Sequence, residues 1–366
     1  MNKNVTLITI NSEQELTGGG HYLRCLIAGY ERISGNLNVI TKSSKQINFE
    51  FAHDTSFIHI KKSFVSEITS RVFFCPSFLL YYFPKIIKQC KESDIIALHS
   101  SRLGILLFLL SFFFPKKEIF CHFDNVEYLL LKSRISKPSL SFRYIVNVWD
   151  YFLIRLSEKL CVKYSTQCSF ITLSDANYFN KDGFVIPICY AEYEKKLPSQ
   201  NDGYYLFTAS FDFEPNVDAL NDFSEIARSH PDMKFIAAGR KLNAFKFDCI
   251  SNLTLIDSPS VDKMEALFVG AKGYISSVNF GSGMKTKVAE AMKYGLPVYA
   301  TDNSLIGYEN VLNKSYIINY KNLSHLSTLL KLNNDTIFDR ELICRDFAKY
   351  YTTFRVKNEL ERMMEC

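Results

Sequence analysis

Short apolar runs alternate with helical patterns through both halves of this 366-residue chain, and this alternation restricts the fold more than any other feature. Apolar runs without a polar face are typical of strands that are buried on both sides of a parallel sheet. The predicted strands are 5–10, 37–41, 56–60, 95–99, 118–121 and 169–173 in the first half, and 204–209, 234–238, 253–256, 273–276, 297–301 and 316–318 in the second. The pattern predicts an α/β fold with one doubly wound, Rossmann-like domain in each half.

The length of the chain and one polar segment predict where the two domains meet. A chain of 366 residues exceeds what one hydrophobic core usually supports. The segment 195–203, KKLPSQNDG, is the most linker-like one near the midpoint. We therefore predict domains at 1–195 and 196–366 that face each other across a central cleft. The final helical stretch, about 340–365, is long enough to pack back on the first domain.

A glycine-rich loop between a predicted strand and a predicted helix carries the strongest functional signal. Residues 280–291 read FGSGMKTKVAEA, and GLPV follows at 295–298. Gly281 and Gly283 allow a ligand to approach the backbone closely. The N–H groups and the dipole of a first helical turn attract anions. The loop is therefore a candidate anion site.

Three charged side chains extend this candidate site into the predicted helix. Lys285 and Lys287 add positive charge at the loop. Glu290 lies further along the helix, where it is placed to accept hydrogen bonds from sugar hydroxyls rather than to meet a phosphate. A solvated, well-capped helix with two surface lysines is the alternative interpretation, and these residues alone do not decide between the two.

Two other loops follow predicted strands of the first half. The segment 17–20, TGGG, precedes an amphipathic run and offers backbone donors at a helix start. It is not a G-x-G-x-x-G fingerprint, and no acidic residue ends the next strand, so a nicotinamide-dependent dehydrogenase is not expected. His122 follows a strand and is followed closely by two acids, Asp124 and Glu127, with Asn125 between them. This group could bind hydroxyls or transfer a proton, or His122 could be a hydrogen-bonded structural residue, and both interpretations stay open.

Positive charge and apolarity are concentrated in the first half. Residues 1–190 hold 22 Lys or Arg against 15 Asp or Glu, a net charge of +7, whereas the remainder carries −2. The apolar clusters 103–114 and 72–83 lie in this half, and neither reaches the roughly 20 apolar residues that cross a bilayer. Core packing and contact with an anionic membrane are both open for them. Because basic residues are scattered, nucleic-acid binding is not expected.

The ten cysteines indicate a reducing compartment. They form no C-x-x-C pair and do not alternate with histidine at metal-ligand spacing, so we expect free, mostly buried thiols. The first ten residues resemble a strand rather than a signal peptide. We therefore expect a cytoplasmic protein, peripheral on the inner face of the cytoplasmic membrane if its basic half binds lipid.

Several of these segments resemble, in the same order, those of the glycogen-synthase-like glycosyltransferase family 4, the retaining, nucleotide-sugar-dependent group 1 glycosyl transferases. The most specific match is the Gly-Ser-Gly-Met-Lys-x-Lys-x-x-Glu-Ala element at 281–291 with the following Gly-x-Pro-Val. The weaker matches, spread over nearly the whole chain, are 18–20, 122–134, 173–175 and 211–220. The resemblance implies the GT-B fold, with the donor bound mainly by the second domain and the acceptor by the first.

The resemblance also implies a role for each candidate residue. Lys285, His122 and Glu290 are expected to act in catalysis, with Glu290 on the donor ribose and His122 steadying the sugar. The expected donor-binding residues are Gly19, Gly20, Arg240, Gly281, Ser282, Gly283, Met284 and Lys287, and the expected acceptor-side residues are Asn125 and Glu127. Members often have a glutamate where this chain has Ser282. They also often have an Arg and a Lys after the first strand of the second domain, where this chain has neither, so Lys285, Lys287 and Arg240 are expected to neutralise the donor diphosphate.

The implied reaction is transfer of a hexosyl group (EC 2.4), with retention, from a UDP- or GDP-linked donor to a glycan or undecaprenyl-linked acceptor, as in bacterial O-antigen or capsule synthesis. No cofactor is expected, and the lack of a D-x-D element argues against a metal-held diphosphate. Two alternatives stay open. One is a nucleotide-sugar epimerase on the same scaffold. The other is a non-catalytic member that binds glycans or organises an assembly complex, for which Ser282 is the best support.

Overall fold

The computed structural model describes residues 3–15, 17–44, 49–52, 54–136, 138, 140–198, 201–244, 250–281 and 283–366. The chain divides into a first unit, Met1–Cys189 with Thr353–Cys366, and a second unit, Tyr190–Thr352. The chain therefore passes from the first unit to the second after Cys189, somewhat before the expected boundary at 195, and returns to the first unit for its final helix.

Thirteen strands and thirteen α-helices make up the two units within the described ranges. The strands are β1 (Val5–Thr9), β2 (Leu37–Lys42), β3 (Thr55–Ile60), β4 (Ile95–His99), β5 (Glu118–Phe123), β6 (Gln167–Phe170), β7 (Phe184–Val185), β8 (Tyr204–Ser210), β9 (Lys234–Arg240), β10 (Leu253–Asp257), β11 (Ala271–Ser276), β12 (Val298–Ala300) and β13 (Ile317–Asn319). The helices are α1 (Gly18–Tyr30), α2 (Phe64–Val72), α3 (Phe83–Cys90), α4 (Gly104–Phe113), α5 (Glu127–Arg134), α6 (Phe142–Tyr164), α7 (Leu173–Phe179), α8 (Glu214–Ser229), α9 (Val261–Gly270), α10 (Thr286–Lys293), α11 (Leu323–Leu332), α12 (Arg340–Tyr350) and α13 (Thr353–Glu365).

Each unit contains one parallel sheet, and the two sheets share a strand order. The seven strands of the first sheet run β3-β2-β1-β4-β5-β6-β7, and the six of the second run β10-β9-β8-β11-β12-β13. Every pair in both sheets is parallel. In each sheet the strand order reverses beside the first strand, between β1 and β4 and between β8 and β11. This switch point is where open α/β sheets bind ligands, at the carboxyl ends of the strands.

The central strands form because their residues can be buried on both faces. All five residues of β1 and all five of β4 are buried, which matches their continuous apolar runs. The predicted strand 169–173 is wrong at its end, since β6 stops at Phe170. There Thr172 caps the next helix by accepting a hydrogen bond from the Asp175 N–H at 3.1 Å, so Leu173 begins α7.

The apolar cluster 103–114 is mainly a core helix of the first unit. Within α4, Leu106, Leu107 and Leu110 are buried, and only the end at Phe112 and Phe113 is exposed. A side chain at Gly104 would overlap the backbone of α6 at Ser157, so glycine allows the two helices to pack closely. Throughout the described ranges, no helix is long and apolar enough to cross a membrane.

The predicted final helix is two helices in the structure. The stretch 340–365 is interrupted after Tyr350, so α12 stays with the second unit while α13 belongs to the first. Helix α13 packs on α1, where a side chain at Gly29 would lie within 2.8 Å of Val356 and Leu360. The first unit is thus completed by the last residues of the chain.

The described cysteines are free thiols. Nine of the ten lie in the described ranges, none is in a disulfide, and seven are buried. Cys249 lies outside the described residues.

Candidate functional site

The glycine-rich loop lies at the switch point of the second sheet. It follows β11 and leads into α10, so it stands at the carboxyl edge of the sheet beside β8. Gly281 and Gly283 have φ angles of +103° and +77°, which residues with a side chain rarely adopt. A Cβ at Gly281 would lie 3.7 Å from Pro215, so the loop also lies against the connection from β8 to α8. The predicted position of the loop at a helix start is what the structure shows.

The side chain of Lys285 is held against the loop by hydrogen bonds to the loop's backbone. Its Nζ donates hydrogen bonds to the carbonyl oxygens of Gly281 and Gly283 at 3.1 and 2.9 Å. On the helix side, the buried Tyr308 hydroxyl donates to the Lys285 carbonyl at 2.8 Å and accepts the Ala289 N–H at 2.9 Å. The ammonium group and the first turn of α10 therefore have a fixed relation to each other.

The remaining predicted donor residues of this loop divide into three cases. Met284 is buried, so its side chain is not open to a ligand. Lys287 and Glu290 form an ion pair on α10, with 38% and 17% of their side chains exposed, so a sugar hydroxyl would compete with the lysine for the Glu290 carboxylate. Ser282 lies outside the described residues.

Arg240 reaches the same edge of the sheet from the other side of β8. It ends β9 in register with Ser210, and its Nη2 donates to the Ser210 Oγ at 3.1 Å. Because β9 and β11 flank β8, the strand ends that carry Arg240 and the Lys285 loop are about 10 Å apart, two strand spacings. The next residue, Lys241, pairs with Asp212 at 3.2 Å and has a φ of +63°. Sequence reasoning missed Lys241, although its place beside Arg240 at a strand end was a usable signal.

A cavity of the second unit lies away from this edge. Its volume is about 1110 Å³, and its lining includes Ala271 and Pro297, at or just before the amino-terminal ends of β11 and β12. Ligands of this fold type bind at the opposite, carboxyl edge. We therefore place the candidate site at the Lys285 loop and assign no chemistry to this cavity.

In the first unit, the glycines of the TGGG segment lie inside the helix rather than before it. Helix α1 begins at Gly18, and Thr17 caps it by accepting the Gly20 N–H at 3.2 Å. A Cβ at Gly19 would lie 2.7 Å from the Asn11 amide, and one at Gly20 would overlap the carbonyl of Glu15. Both predicted donor residues thus have a packing reason to be glycine, and the segment that follows β1 lies directly against them.

A row of polar residues crosses the first sheet near its carboxyl edge. Thr9, His99, His122 and Ser169 are register partners on β1, β4, β5 and β6. The Thr9 hydroxyl bonds His99 Nδ1 at 3.0 Å, and the Ser169 hydroxyl bonds His122 Nδ1 at 2.6 Å. Ser100, which directly follows β4, has a φ of +107°. Such backbone strain costs about 1–3 kcal/mol and tends to occur at functional sites.

His122 differs from its prediction in position and surroundings. It lies within β5, which runs on to Phe123, and not after the strand. Its ring is fully buried, and its Nε2 bonds the Tyr30 hydroxyl at 2.8 Å, so protein groups occupy both ring nitrogens. Burial, together with the nearby His99, lowers the pKa of His122 to about 3. The imidazole is therefore neutral and firmly held.

His99, which sequence reasoning did not select, and Asp124, one of the two acids that follow His122, have unused hydrogen-bonding atoms at this edge. His99 Nε2 lies 3.9 Å from Asp124 Oδ2, too far for a hydrogen bond, and both His99 Nε2 and Asp124 Oδ1 are buried without a partner. The Asn11 side-chain nitrogen nearby is in the same state. Burial lowers the pKa of His99 to about 3. For Asp124, burial and then the Glu127 charge raise the pKa to about 7. Buried polar atoms without partners call for a ligand or water, and hydroxyl groups would suit all three.

The two predicted acceptor-side residues lie beside Asp124. Asn125 is half-buried in the turn between β5 and α5. Glu127 begins α5, and its Oε2 accepts hydrogen bonds from Arg102 Nη2 at 2.7 Å and Nε at 3.0 Å. Its carboxylate is therefore already neutralised by Arg102. Within the described ranges, no group of three or more His, Cys, Asp or Glu residues is arranged to hold a metal ion.

No protein-family model matches the chain, and no curated protein matches it in sequence. Among solved structures, it is similar to the sucrose-phosphate synthase of Thermosynechococcus elongatus, with 10% identity and a TM-score of 0.66 over 100% of this chain and 98% of that one. Anabaena HepE in complex with UDP and glucose gives 10% identity and a TM-score of 0.67, with 100% of each chain covered. An α,α-trehalose-phosphate synthase from Burkholderia vietnamiensis gives 10% and 0.63 over 99% of each chain.

The fold is GT-B. The predicted fold class of two doubly wound, Rossmann-like sheets is confirmed, with seven strands in the first GT-B unit and six in the second. At identities near 10%, the comparisons establish this architecture and leave the chemistry to the residues at the two switch points.

Proposed function

We propose that this chain is a glycosyltransferase that moves a sugar, with retention, from a nucleoside-diphosphate donor to a glycan or lipid-linked acceptor. The observation that carries the proposal is the Lys285 loop, which joins an ammonium group, two left-handed glycines and a helix start at the switch point of the second sheet. One structural neighbour, Anabaena HepE, has been solved in complex with UDP, with UDP and glucose, and with UDP-glucose, which favours a UDP-linked donor over a GDP-linked one.

The second unit would bind the donor. Loop N–H groups and Lys285 would face the diphosphate, with Arg240 and Lys287 adding charge at its periphery, while Glu290 would turn from Lys287 to the ribose hydroxyls. As the bond between the anomeric carbon and the phosphate oxygen breaks, the developing negative charge would be stabilised by these fixed positive groups. The acceptor oxygen would bond the anomeric carbon on the same face, and its proton would pass to the leaving phosphate. No protein nucleophile is needed in this scheme.

The first unit would bind sugar and acceptor hydroxyls. We assign this role to Asp124 and His99, with Asn125 beside them, because they hold unpartnered polar atoms at the switch point. The sugar-steadying role expected of His122 passes to Asp124, since both nitrogens of His122 are bonded within the protein. His122 is then a positioning residue that fixes the polar row across the sheet.

We further propose that the reaction belongs to bacterial surface-polysaccharide synthesis, as in O-antigen or capsule assembly. The acceptor would be a glycan on a lipid carrier such as undecaprenyl diphosphate, and the protein would act in the cytoplasm at the inner face of the membrane. The net charge of +7 on residues 1–190 supports contact with anionic lipid.

A thermal-shift panel of UDP, GDP and their sugar conjugates, with and without a chelator, tests the donor site, because a ligand of the folded state raises the unfolding midpoint. We expect a shift with UDP compounds that is lost in Glu290→Ala. Release of UDP from UDP-sugars should fall by roughly 10²- to 10³-fold in Lys285→Ala, as for loss of one donor to a developing oxyanion. The exposed Lys321→Ala, in the same unit, is the matched control and should change neither result.

Three other outcomes would contradict this assignment. Near-normal UDP release by Lys285→Ala would remove the lysine from the reaction. Conversion of a nucleotide sugar alone into an isomer would identify an epimerase. A panel without any shift would favour a non-catalytic, glycan-binding protein.

A further inference from the structure

Helix α2 turns its apolar side away from the protein. Its only buried residues are Ser66 and Ser70, which face inward. Four large apolar side chains face outward and are 45–67% exposed, namely Phe64, Val65, Ile68 and Val72. A surface helix of a globular protein normally has the opposite arrangement, with its apolar side on the core. The exposed side of α2 therefore has a reason other than packing within this chain.

Helix α6 shows a second exposed apolar stripe. Its exposed large apolar residues are 40–70% accessible and recur every three or four positions, namely Phe142, Ile145, Trp149, Phe152 and Leu156. This spacing places them on one side of the helix. The residues that α6 buries, such as Leu153 and Ile154, lie on another side, so the stripe is additional to the core contact.

The two stripes belong to one surface. Arg71 of α2 forms a two-pronged ion pair with the buried Asp150 of α6, at 2.9 Å from Nε and 3.0 Å from Nη2. Val72 and Trp149 are the chain neighbours of this pair, so the ion pair holds the two helices that carry the stripes next to each other there. We call these nine exposed residues of α2 and α6 the α2/α6 surface. Large contiguous apolar surfaces of this kind are typical of binding sites for membranes or proteins.

The exposed charges on and next to the α2/α6 surface are basic. Exposed basic residues flank or follow the stripes, namely Lys61, Lys62, Arg143, Arg155 and Lys159. The acids of both helices are neutralised or withdrawn: Glu67 pairs with Lys62 at 2.8 Å, and Asp150 and Glu158 are buried. The pair of Lys62 and Glu67 carries no net charge, so the border is positive through Lys61, Arg143, Arg155 and Lys159. An apolar, aromatic surface with such a border complements anionic lipid headgroups above an acyl layer.

We propose that the α2/α6 surface binds the surface of an anionic membrane, with Phe142, Trp149 and Phe152 entering the headgroup region. The aromatic content and the one-sided charge favour lipid over a second copy of this chain, whose own basic border would repel it. The inference deepens the proposed membrane location and rests on that part of the proposed function alone. It locates the contact on α2 and α6, whereas the apolar cluster 103–114 mostly fills the core.

Trp149 is the only tryptophan of the chain and lies within the α2/α6 surface, so it reports binding directly. The full-length protein is mixed with vesicles of phosphatidylcholine, with or without phosphatidylglycerol, and binding is measured by co-sedimentation and Trp emission. We expect binding and a shift of the emission to shorter wavelength only with phosphatidylglycerol. Each basic residue near the surface contributes about 1 kcal/mol, or about five-fold, so Arg143→Glu with Lys159→Glu should weaken binding by at least about 25-fold.

Ile145→Asp should abolish both vesicle binding and the emission shift. The control is Val261→Asp on α9 of the second unit, where an apolar side chain that is more exposed than Ile145 is replaced, and this variant should bind like the wild type. Both positions are exposed, so unchanged unfolding midpoints would show that the variants are folded. The proposal is overturned by equal binding to both kinds of vesicle, by no binding, or by wild-type binding of Ile145→Asp. It is also overturned if Ile145→Asp only converts a dimer to a monomer. Lys285→Ala should still bind vesicles, which separates this result from a failure of the proposed activity.

Discussion

Replacing Asp124 by asparagine should make the first unit less sensitive to rising pH. Asp124 is buried, and one of its carboxylate oxygens has no hydrogen-bond partner. Burial, reinforced by the charge of Glu127, raises the pKa of Asp124 from 3.8 to about 7, although Arg102 acts in the opposite direction. The folded protein therefore holds a proton on this carboxyl group that the unfolded chain releases more readily.

The sign and size of the effect follow from this difference. A carboxyl group that binds its proton more tightly in the folded state stabilises the fold fully below pH 3.8, and this contribution is lost as the pH rises to about 7. At 1.36 kcal/mol per pKa unit, the loss is about 4 kcal/mol. Asparagine is nearly isosteric and carries no charge at any of these pH values. We therefore expect Asp124→Asn to be more stable than the wild type at pH 8.5, by up to about 4 kcal/mol, and close to it at pH 4.

Urea unfolding at pH 4, 6 and 8.5 measures the effect, with Trp149 emission as the probe, because the only tryptophan lies in the same unit as Asp124. Burial also raises the pKa of Glu158 to about 7, so the variant should keep part of the wild-type pH dependence. Glu92→Gln, at an exposed carboxylate of this unit, is the control and should follow the wild type. If Asp124→Asn lost stability between pH 4 and 8.5 as steeply as the wild type, the assignment of a protonated Asp124 would be refuted.

Two further substitutions test the packing of the candidate sites. Tyr308→Phe removes two hydrogen bonds and leaves the Ala289 N–H without its partner, whereas the Lys285 carbonyl keeps its bond from the Val288 N–H at 3.0 Å. The variant should therefore cost roughly 2–3 kcal/mol in calorimetry of the second unit. Tyr320→Phe loses one bond to a serine hydroxyl and should cost about 1 kcal/mol; equal effects would contradict the bridging role of Tyr308. Gly20→Ala should destabilise the first unit by about 1–3 kcal/mol through overlap with a carbonyl oxygen. Gly18→Ala meets no atom within 4 Å and should stay within about 0.5 kcal/mol of the wild type; a loss like that of Gly20→Ala would count against the overlap.

The fold could be predicted from the sequence where local signals and burial agree. The run 95–99 coincides with β4, because all five residues of this strand are buried and the first four are apolar. The fifth, His99, is the last residue of the strand. Residues 169–173 look equally apolar, but the threonine cap at Thr172 ends the strand early. A two-residue strand such as β7 has no periodicity to detect, so it could not be predicted.

The candidate site was predictable only where it is local in sequence. The Lys285 loop could be found because its glycines, lysine and helix start are contiguous. The hydrogen bonding of the His122 ring could not be predicted, since its partners, Tyr30 and Ser169, lie 92 and 47 positions away in the chain. Asp124 and His99 are brought together by the pairing of β4 with β5, which no local pattern reveals.

The two units show how one topology can support two kinds of binding. Both sheets reverse their strand order beside the first strand, and both candidate sites lie at the carboxyl edge there. In the second unit this edge presents the cations Lys285 and Arg240, which suit a diphosphate. In the first unit it presents buried groups that ionise less readily than usual, because burial lowers the pKa of His99 to about 3 and raises that of Asp124 to about 7. Uncharged hydrogen-bonding groups suit hydroxyls. A hydroxyl carries no charge, so it could not compensate the free-energy cost of removing an ionised side chain from water. Under the proposed function, a site for a charged donor and a site for acceptor hydroxyls would therefore differ in the few residues that close the strands, with no change in the sheets themselves.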